Sequence, residues 1–255
     1  MSVPRVLMYH GFCTDAPAED PWSLFVRQNA LQAQLALLAG RPRLDLDGYL
    51  GHLASPAAPR GSVLVTIDDG YRSVLTVAAP LFAAAGIRPV LFVPPALVTD
   101  PPTGGLPGMG REPLLTPDEL RALPAYGVEL GVHGLDHSTM AGMTEAELHA
   151  HTAGARDRLA DLTGTQPRSF AYPLGVLDDR AARAVSAAGY AVAFSVDRDY
   201  GRWGVPRTGI AAADSTGAFR FKLSPWYDVI WRATRPVTGL RHHVRPVLRL
   251  LDRMR

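Results

Sequence analysis

From Ser62 to Ile67 the chain is apolar and β-branched, with no alternation of polar positions. A strand of that kind is covered on both faces, which calls for a parallel sheet with helices laid over it. The run stops at Asp68-Asp69-Gly70, where glycine lets the chain turn sharply. Two successive carboxylates at the C-terminal end of a strand point in different directions, so one can bind a metal while the other takes a proton. Standing alone, Asp-Asp-Gly is also an ordinary solvated turn. What weighs against that reading is a second short apolar strand, Val128 to Val132, which ends in His133-Gly134-Leu135-Asp136-His137.

The rest of the chain alternates in the same way. Strands are expected at Arg5 to Tyr9, Ser62 to Ile67, Pro89 to Val93, Val128 to Val132, Ser169 to Tyr172, Ala191 to Val196 and Arg207 to Ile210. Between them lie helical patterns: Leu31, Leu35 and Leu38 share one face, Leu75 to Ala85 stops at Gly86, and Asp178 to Ala188 stops at Gly189. Thr116-Pro117-Asp118-Glu119 and Thr144-Glu145-Ala146-Glu147 carry the Thr-x-x-Glu box that opens a helix. Strands separated by helices pair in parallel, and these are enough for an α/β fold of the distorted (β/α)7 barrel type. The barrel is expected over residues 1–215, followed by a basic helical extension over residues 216–255. Asp100 to Leu114, with four Gly and four Pro, reads as a loop beside the mouth of the site.

Charge and composition exclude several classes. The net charge is +2, yet residues 219–255 carry nine Lys or Arg against Asp228 and Asp252, a local +7 that leaves −5 for the other 218 residues. A weakly acidic body with a basic tail lacks the basic face that meets nucleic-acid phosphates. Cys13 is the single cysteine, so neither an internal disulfide nor a cysteine zinc cage can form. Lys222 is the single lysine against 25 arginines, which argues against Schiff-base chemistry. Met1 to Arg5 shows no signal-peptide succession, and the best apolar run, Val74 to Val98, is broken by Pro80, Arg88 and Pro89. A cytoplasmic location is therefore expected. In the tail, Trp226, Tyr227, Ile230 and Trp231, then Val244, Val247, Leu248 and Leu251 among Arg241, Arg245, Arg249 and Arg253, read as helices with an apolar and a basic side. Such a segment, residues 236–255 in particular, either touches an anionic membrane at its inner face or docks on the barrel.

His133 and His137 are four apart, so a helical turn after their strand would place both imidazoles on one side, able to share a metal ion with Asp69. His149, His151 and the pair His242-His243 sit in polar helix or basic tail contexts and are assigned solvated roles. A His, His, carboxylate set with open coordination positions is the arrangement of a hydrolytic site, and strand C-terminal ends are where a parallel barrel does its chemistry.

Together, Thr66-Ile67-Asp68-Asp69-Gly70-Tyr71, His133-x-x-x-His137 and Phe170-Ala171-Tyr172-Pro173-Leu174-Gly175 resemble the first three motifs of the polysaccharide deacetylases of carbohydrate esterase family four, the NodB-homology fold. The resemblance runs from Val6 to Ile210 and takes in Val6-Leu7-Met8-Tyr9-His10 and Pro206-Arg207. It implies that Asp68 is the general base and that Asp69, His133 and His137 hold a divalent metal, most often Zn2+. It also implies an N-acylated amino-sugar substrate, in a glycan or linked to a lipid. Tyr172 and Pro173, with Trp203, are assigned to substrate binding, and Phe170 and Tyr200 are further ring-stacking candidates. The chain departs from the family pattern in three places. Gly134 stands where a Ser or Thr is usual, with Asp136 as a substitute brace. Ala171 occupies the region of an Arg that pairs with the base, which leaves Arg207 to hold Asp68 ionised. After residue 196 Leu-x-x-His occurs only at Leu240-Arg241-His242-His243, in the basic tail and outside the barrel, so the general acid is assigned to His10, at the end of the first strand. Alternatives on the same fold are a deformylase or other non-peptide C–N hydrolase and a catalytically silent carbohydrate-binding relative. A phosphoesterase is disfavoured, because no second metal cluster or phosphate-cradling Gly-rich loop is present.

Overall fold

In the computed structural model, which describes residues 3–15, 17, 20–100, 112–196 and 199–234, the apolar runs become ten strands. They are β1 (Arg5–Tyr9), β2 (Gly11–Cys13), β3 (Phe25–Arg27), β4 (Arg43–Leu44), β5 (Val63–Ile67), β6 (Val90–Val93), β7 (Glu129–Val132), β8 (Ser169–Ala171), β9 (Val192–Phe194) and β10 (Thr208–Gly209). The main sheet runs β10-β1-β5-β6-β7-β8-β9, with β4 added beside the start of β5. Every pairing in it is parallel, so all strands end on one rim.

The sheet curls into the expected distorted barrel. Val205 exchanges hydrogen bonds with β9 and the residue after it, its N–H donating to Ala193 O and its O accepting from Ser195 N–H, both 2.8 Å. Three residues on, Thr208 pairs with Leu7 of β1. The segment from Val205 to Gly209 thus crosses from one edge of the sheet to the other, with Arg207 in the seam. Strand periodicity then divides the core. Val6, Leu64, Val90, Phe92, Ala171 and Phe194 form an inner cluster with Leu46 and Tyr49 of the helix Leu46–Ala54. Leu7, Tyr9, Val65, Ile67, Leu91 and Val93 face outward and meet the helices, among them Leu31, Leu35 and Leu38 of Gln28–Leu38. Both faces of each strand are consumed in this way, which is why the sequence shows no polar alternation.

Each of the expected strands forms, trimmed by up to three residues. Both Thr-opened helices close reciprocal capping boxes, at Thr116 with Glu119 and at Thr144 with Glu147. The helix expected from Leu75 begins instead with a π turn, Val74–Ala78, before Ala79–Ala84 continues it. After β10, Thr216–Lys222 belongs to the outer layer: Phe219 and Leu223 sit in the main core, and Lys222 Nζ donates to the Asp214 carboxylate and to Gly209 O. Pro225–Thr234 follows. Residues 236–255, to which the membrane reading was attached, His242-His243, and most of the Asp100 to Leu114 loop lie outside the described residues. Among the described residues no helix is long and apolar enough to cross a membrane.

Candidate metal centre and active site

Residues 64, 66 and 68 share one side of β5 and its continuation, so Asp68 extends the row of inner side chains beyond Thr66. The strand ladder continues one residue past β5, Asp68 N–H donating to Tyr9 O at 2.9 Å. Asp69 then enters the left-handed region at φ 76° and Gly70 follows at 78°. That turn separates the two carboxylates. Aspartate tolerates the left-handed conformation better than most residues, yet such a backbone persists only where its surroundings fix it. On β7, His133 is held by its N–H to Val93 O at 2.9 Å. The chain beyond it is a non-helical turn, so helical spacing is not what brings the two rings together: Gly134 has φ 65° and His137 φ 68°. The two imidazoles still meet, because two left-handed residues fold His137 back over the strand end.

The three expected ligands converge. His133 Nε2 lies 3.5 Å and His137 Nε2 3.2 Å from Asp69 Oδ1, and the three ligand atoms fall within 4.8 Å of one another. Ligands roughly 2.0–2.1 Å from a tetrahedral ion are separated by about 3.3 Å, so these spacings fit one. His133 Nδ1–H donates to Ala171 O at 2.8 Å, which leaves the Nε2 lone pair facing Asp69. Both carboxylate oxygens of Asp69 are buried and accept no hydrogen bond among the described residues. Two imidazoles are its close neighbours, and burying a carboxylate without a full countercharge costs several kcal/mol. A cation among these side chains removes that cost, so the residues present fit a divalent metal.

Asp68 has the opposite surroundings. Arg207 grips it with two parallel hydrogen bonds, Nη1 to Oδ1 and Nη2 to Oδ2, each 2.7 Å, and both side chains are buried. The guanidinium is itself fixed by Ser195 O at 3.1 Å from Nε and by Thr66 Oγ1 at 3.2 Å from Nη1, and it lies over the Phe92 ring. Burial pushes the Asp68 carboxyl up, but the charge of Arg207, with His133 and His10, outweighs it and holds the group below the usual carboxylate range. Arg207 therefore pairs with Asp68 from the barrel seam.

Residues 55–193 match the protein family described as Polysaccharide deacetylase. The chain belongs to that family. Among curated proteins it is similar to YxkH of Bacillus subtilis (strain 168), named for the same family, with 22% identity over 162 residues that make up 62% of this chain and 54% of YxkH. The chain thus spans about half the length of that curated relative. Among solved structures it is similar to the Streptococcus pyogenes deacetylase PplD in complex with acetate, with a TM-score of 0.75 at 18% identity over 87% of this chain and 98% of that one. IcaB from Ammonifex degensii gives a TM-score of 0.70 at 20% identity, covering 88% and 98%. At these identities the likeness is one of fold.

In this member of the polysaccharide deacetylase family His10 follows β1 onto the same rim, close enough that Asp69, Asp68, Arg207 and His133 all act on its titration. Its Nδ1 is buried with no hydrogen-bond partner among the described residues. Burial holds the imidazole below the usual histidine value, against the pull of the two aspartates. The stacking surfaces need correction. Phe170 and Tyr172 are wholly buried, ring against ring 5.2 Å apart, and Tyr172 Oη donates to Trp203 O at 2.8 Å. They are core residues because strand β8 and its continuation face the helices there, and no sugar can reach their faces. Pro173 is buried too, and Tyr200 and Trp203 are half-buried against the main core. The apolar side chains exposed on this turn are Leu174, at φ 57°, and Val176. His151, assigned a solvated role, is instead buried beneath the Gly134 to His137 turn, whereas His149 is exposed as expected. Only the missing side chain at Gly134, matched to a histidine on a later helix, hinted at this.

Proposed function

We propose that this chain is a metal-dependent hydrolase that removes an N-acetyl group from an amino sugar within a glycan. The observation that carries the reading is the division between two adjacent buried carboxylates: Asp69 has only imidazoles around it, and Asp68 is clamped by a guanidinium. Asp69, His133 and His137 would hold the metal, most suitably Zn2+ for this nitrogen and oxygen set, and when bound it supplies a Lewis acid that polarises the amide carbonyl and acidifies water.

The chain's own groups do the rest. Asp68, ionised throughout the neutral range because of Arg207, accepts the proton of the attacking water. A carboxylate held so low is a weak base, so it depends on the water being acidified beside it. Arg207 fixes both Asp68 oxygens and so sets the direction from which that proton is taken. His10 donates a proton to the nitrogen as the C–N bond breaks, since an amide anion is too basic to leave. Leu174 and Val176 offer an apolar edge where the substrate enters. The test is a panel of N-acetyl and N-formyl glucosamine oligomers beside p-nitrophenyl phosphate. Acetate release from the N-acetyl oligomers supports the reading; hydrolysis of the phosphate ester alone overturns it.

The reading extends to location: a cytoplasmic enzyme that touches an anionic inner leaflet through residues 236–255. What supports it among the described residues is the exposed edge of Pro225–Thr234, where Trp226, Val229 and Ile230 recur at helical spacing.

A further inference from the structure

The turn that presents His137 has no hydroxyl brace, since position 134 is glycine. Its space is taken from elsewhere. A Cβ at Gly134 would stand 3.0 Å from Pro173 Cγ and 3.5 Å from His151 Nδ1, and φ there is +65°. His151 is buried under the turn and touches it at two points: Nδ1 accepts the Leu135 N–H at 3.3 Å, and Nε2 faces Asp136 Oδ1 at 3.7 Å. Because Nδ1 is the acceptor, the neutral ring carries its proton on Nε2, directed at the Asp136 carboxylate. Asp136 Oδ1 also accepts the Ser138 N–H at 3.0 Å, and Leu135 O accepts the Ala96 N–H at 2.9 Å. Residues on both sides of His137 are thereby tied down, and His137 itself is left-handed at φ 68°. A non-glycine residue holds that conformation only where its surroundings over-determine it.

The helix beneath is shaped to supply the imidazole. Between Glu145–His149 and Ala155–Thr163 it widens into a π turn, Ala150–Gly154, at the position of His151. Such single π turns inside helices recur at functional positions, because the extra residue redirects a side chain that regular spacing would aim elsewhere.

We infer that His151 is a positioning residue of the metal centre: through Leu135 N–H and Asp136 it holds the Gly134 to Ser138 turn in the shape that aims His137 at Asp69. This rests on Asp69, His133 and His137 being the metal ligands. Outer partners of this kind are typically worth about 10–100-fold in metal affinity.

The test measures zinc affinity of the full chain by competition with a chromophoric chelator, together with thermal unfolding of the metal-free protein. Wild type is expected to bind one zinc tightly and Asp69→Ala to lose it; tight binding that survives in Asp69→Ala overturns the ligand assignment itself, whatever His151 does. With that assignment standing, His151→Leu should weaken zinc binding by about tenfold or more, without altering metal-free unfolding. His151→Asn, whose Oδ1 can still accept the Leu135 N–H, should recover most of the affinity, and the exposed-site variant His149→Ala should match wild type. Affinity of His151→Leu within twofold of wild type overturns the inference, and so does equal weakening in the Leu and Asn variants. If His151→Leu does not fold, His151→Gln, whose acceptor sits one methylene further out, replaces it with the same two outcomes.

Discussion

Arg207 and His10 are the two residues whose substitution separates chemistry from metal binding. Removing the guanidinium in Arg207→Met strands Asp68 as a buried, unpaired carboxylate, a loss expected to cost about 3–5 kcal/mol. The sign of its pH dependence follows from the depressed Asp68 titration. The pair stabilises the protein above the unfolded carboxylate pKa of about 3.9, and that stability is lost as pH falls through the lower folded value. Without Arg207, burial is opposed by His133 and His10 only, and the Asp68 titration rises. The acid limb of kcat/KM should therefore move to higher pH while zinc content stays near one per chain; an unmoved acid limb would count against Asp68 as the base. His10→Ala should keep the metal and lose on the order of 10² to 10⁴ in turnover. Because burial holds His10 below the ordinary histidine value, the alkaline limb that it sets in kcat/KM should begin below that value and vanish in the variant. Near-normal turnover with the limb intact would remove His10 from the mechanism.

At the scale of elements, the site is the rim where the parallel strands β1, β5, β7 and β8 end, and its precision depends on the inner packing just below. Gly131 of β7 is a tight point in that packing: a Cβ there would lie 2.6 Å from Phe92 Cδ1 and Cε1 and 2.8 Å from Ser169 Oγ. Gly131→Ala must push Phe92, the ring beneath Arg207, out of place. A loss of about 1–3 kcal/mol is expected, read as a lower midpoint in urea; an unchanged midpoint would show that Phe92 yields freely. Much of this level was legible in the sequence, because strands covered on both faces leave an unbroken apolar run and the chemistry follows where each run stops. What escaped had physical reasons. β2, β3 and β4 are two or three residues long and carry no period. The convergence of His133 and His137 was legible from their spacing, but its cause was not: it comes from left-handed backbone at Gly134 and His137, which leaves no period in the sequence. Tyr172 looked like a platform because strand ends are where substrates bind, yet its ring turns to the helices. His151 sits in a polar helical stretch, and the turn that its ring bonds, through the Leu135 N–H, lies sixteen residues earlier in the chain.

For the whole molecule, the membrane reading fixes an orientation. Arg5, at the start of β1, donates to Ser224 O at 3.1 Å and lies over the Tyr227 ring, so Pro225–Thr234 attaches at the end of the barrel opposite the catalytic rim. A bilayer met there would leave Asp68 and Asp69 facing away from it. Vesicles containing phosphatidylglycerol should co-sediment the full chain at low salt, and deletion of residues 236–255 should release it; sedimentation unchanged after the deletion, or absent in the wild type, would remove membrane contact. The central claim, that one carboxylate holds a metal and its neighbour moves a proton, is tested most directly by zinc content and acetate release measured side by side in wild type, Asp68→Asn and Asp69→Asn. The account predicts about one zinc per chain in wild type and in Asp68→Asn, with turnover lost in both variants and zinc lost in Asp69→Asn alone. Equal zinc in all three proteins, or zinc lost equally from both variants, would contradict it.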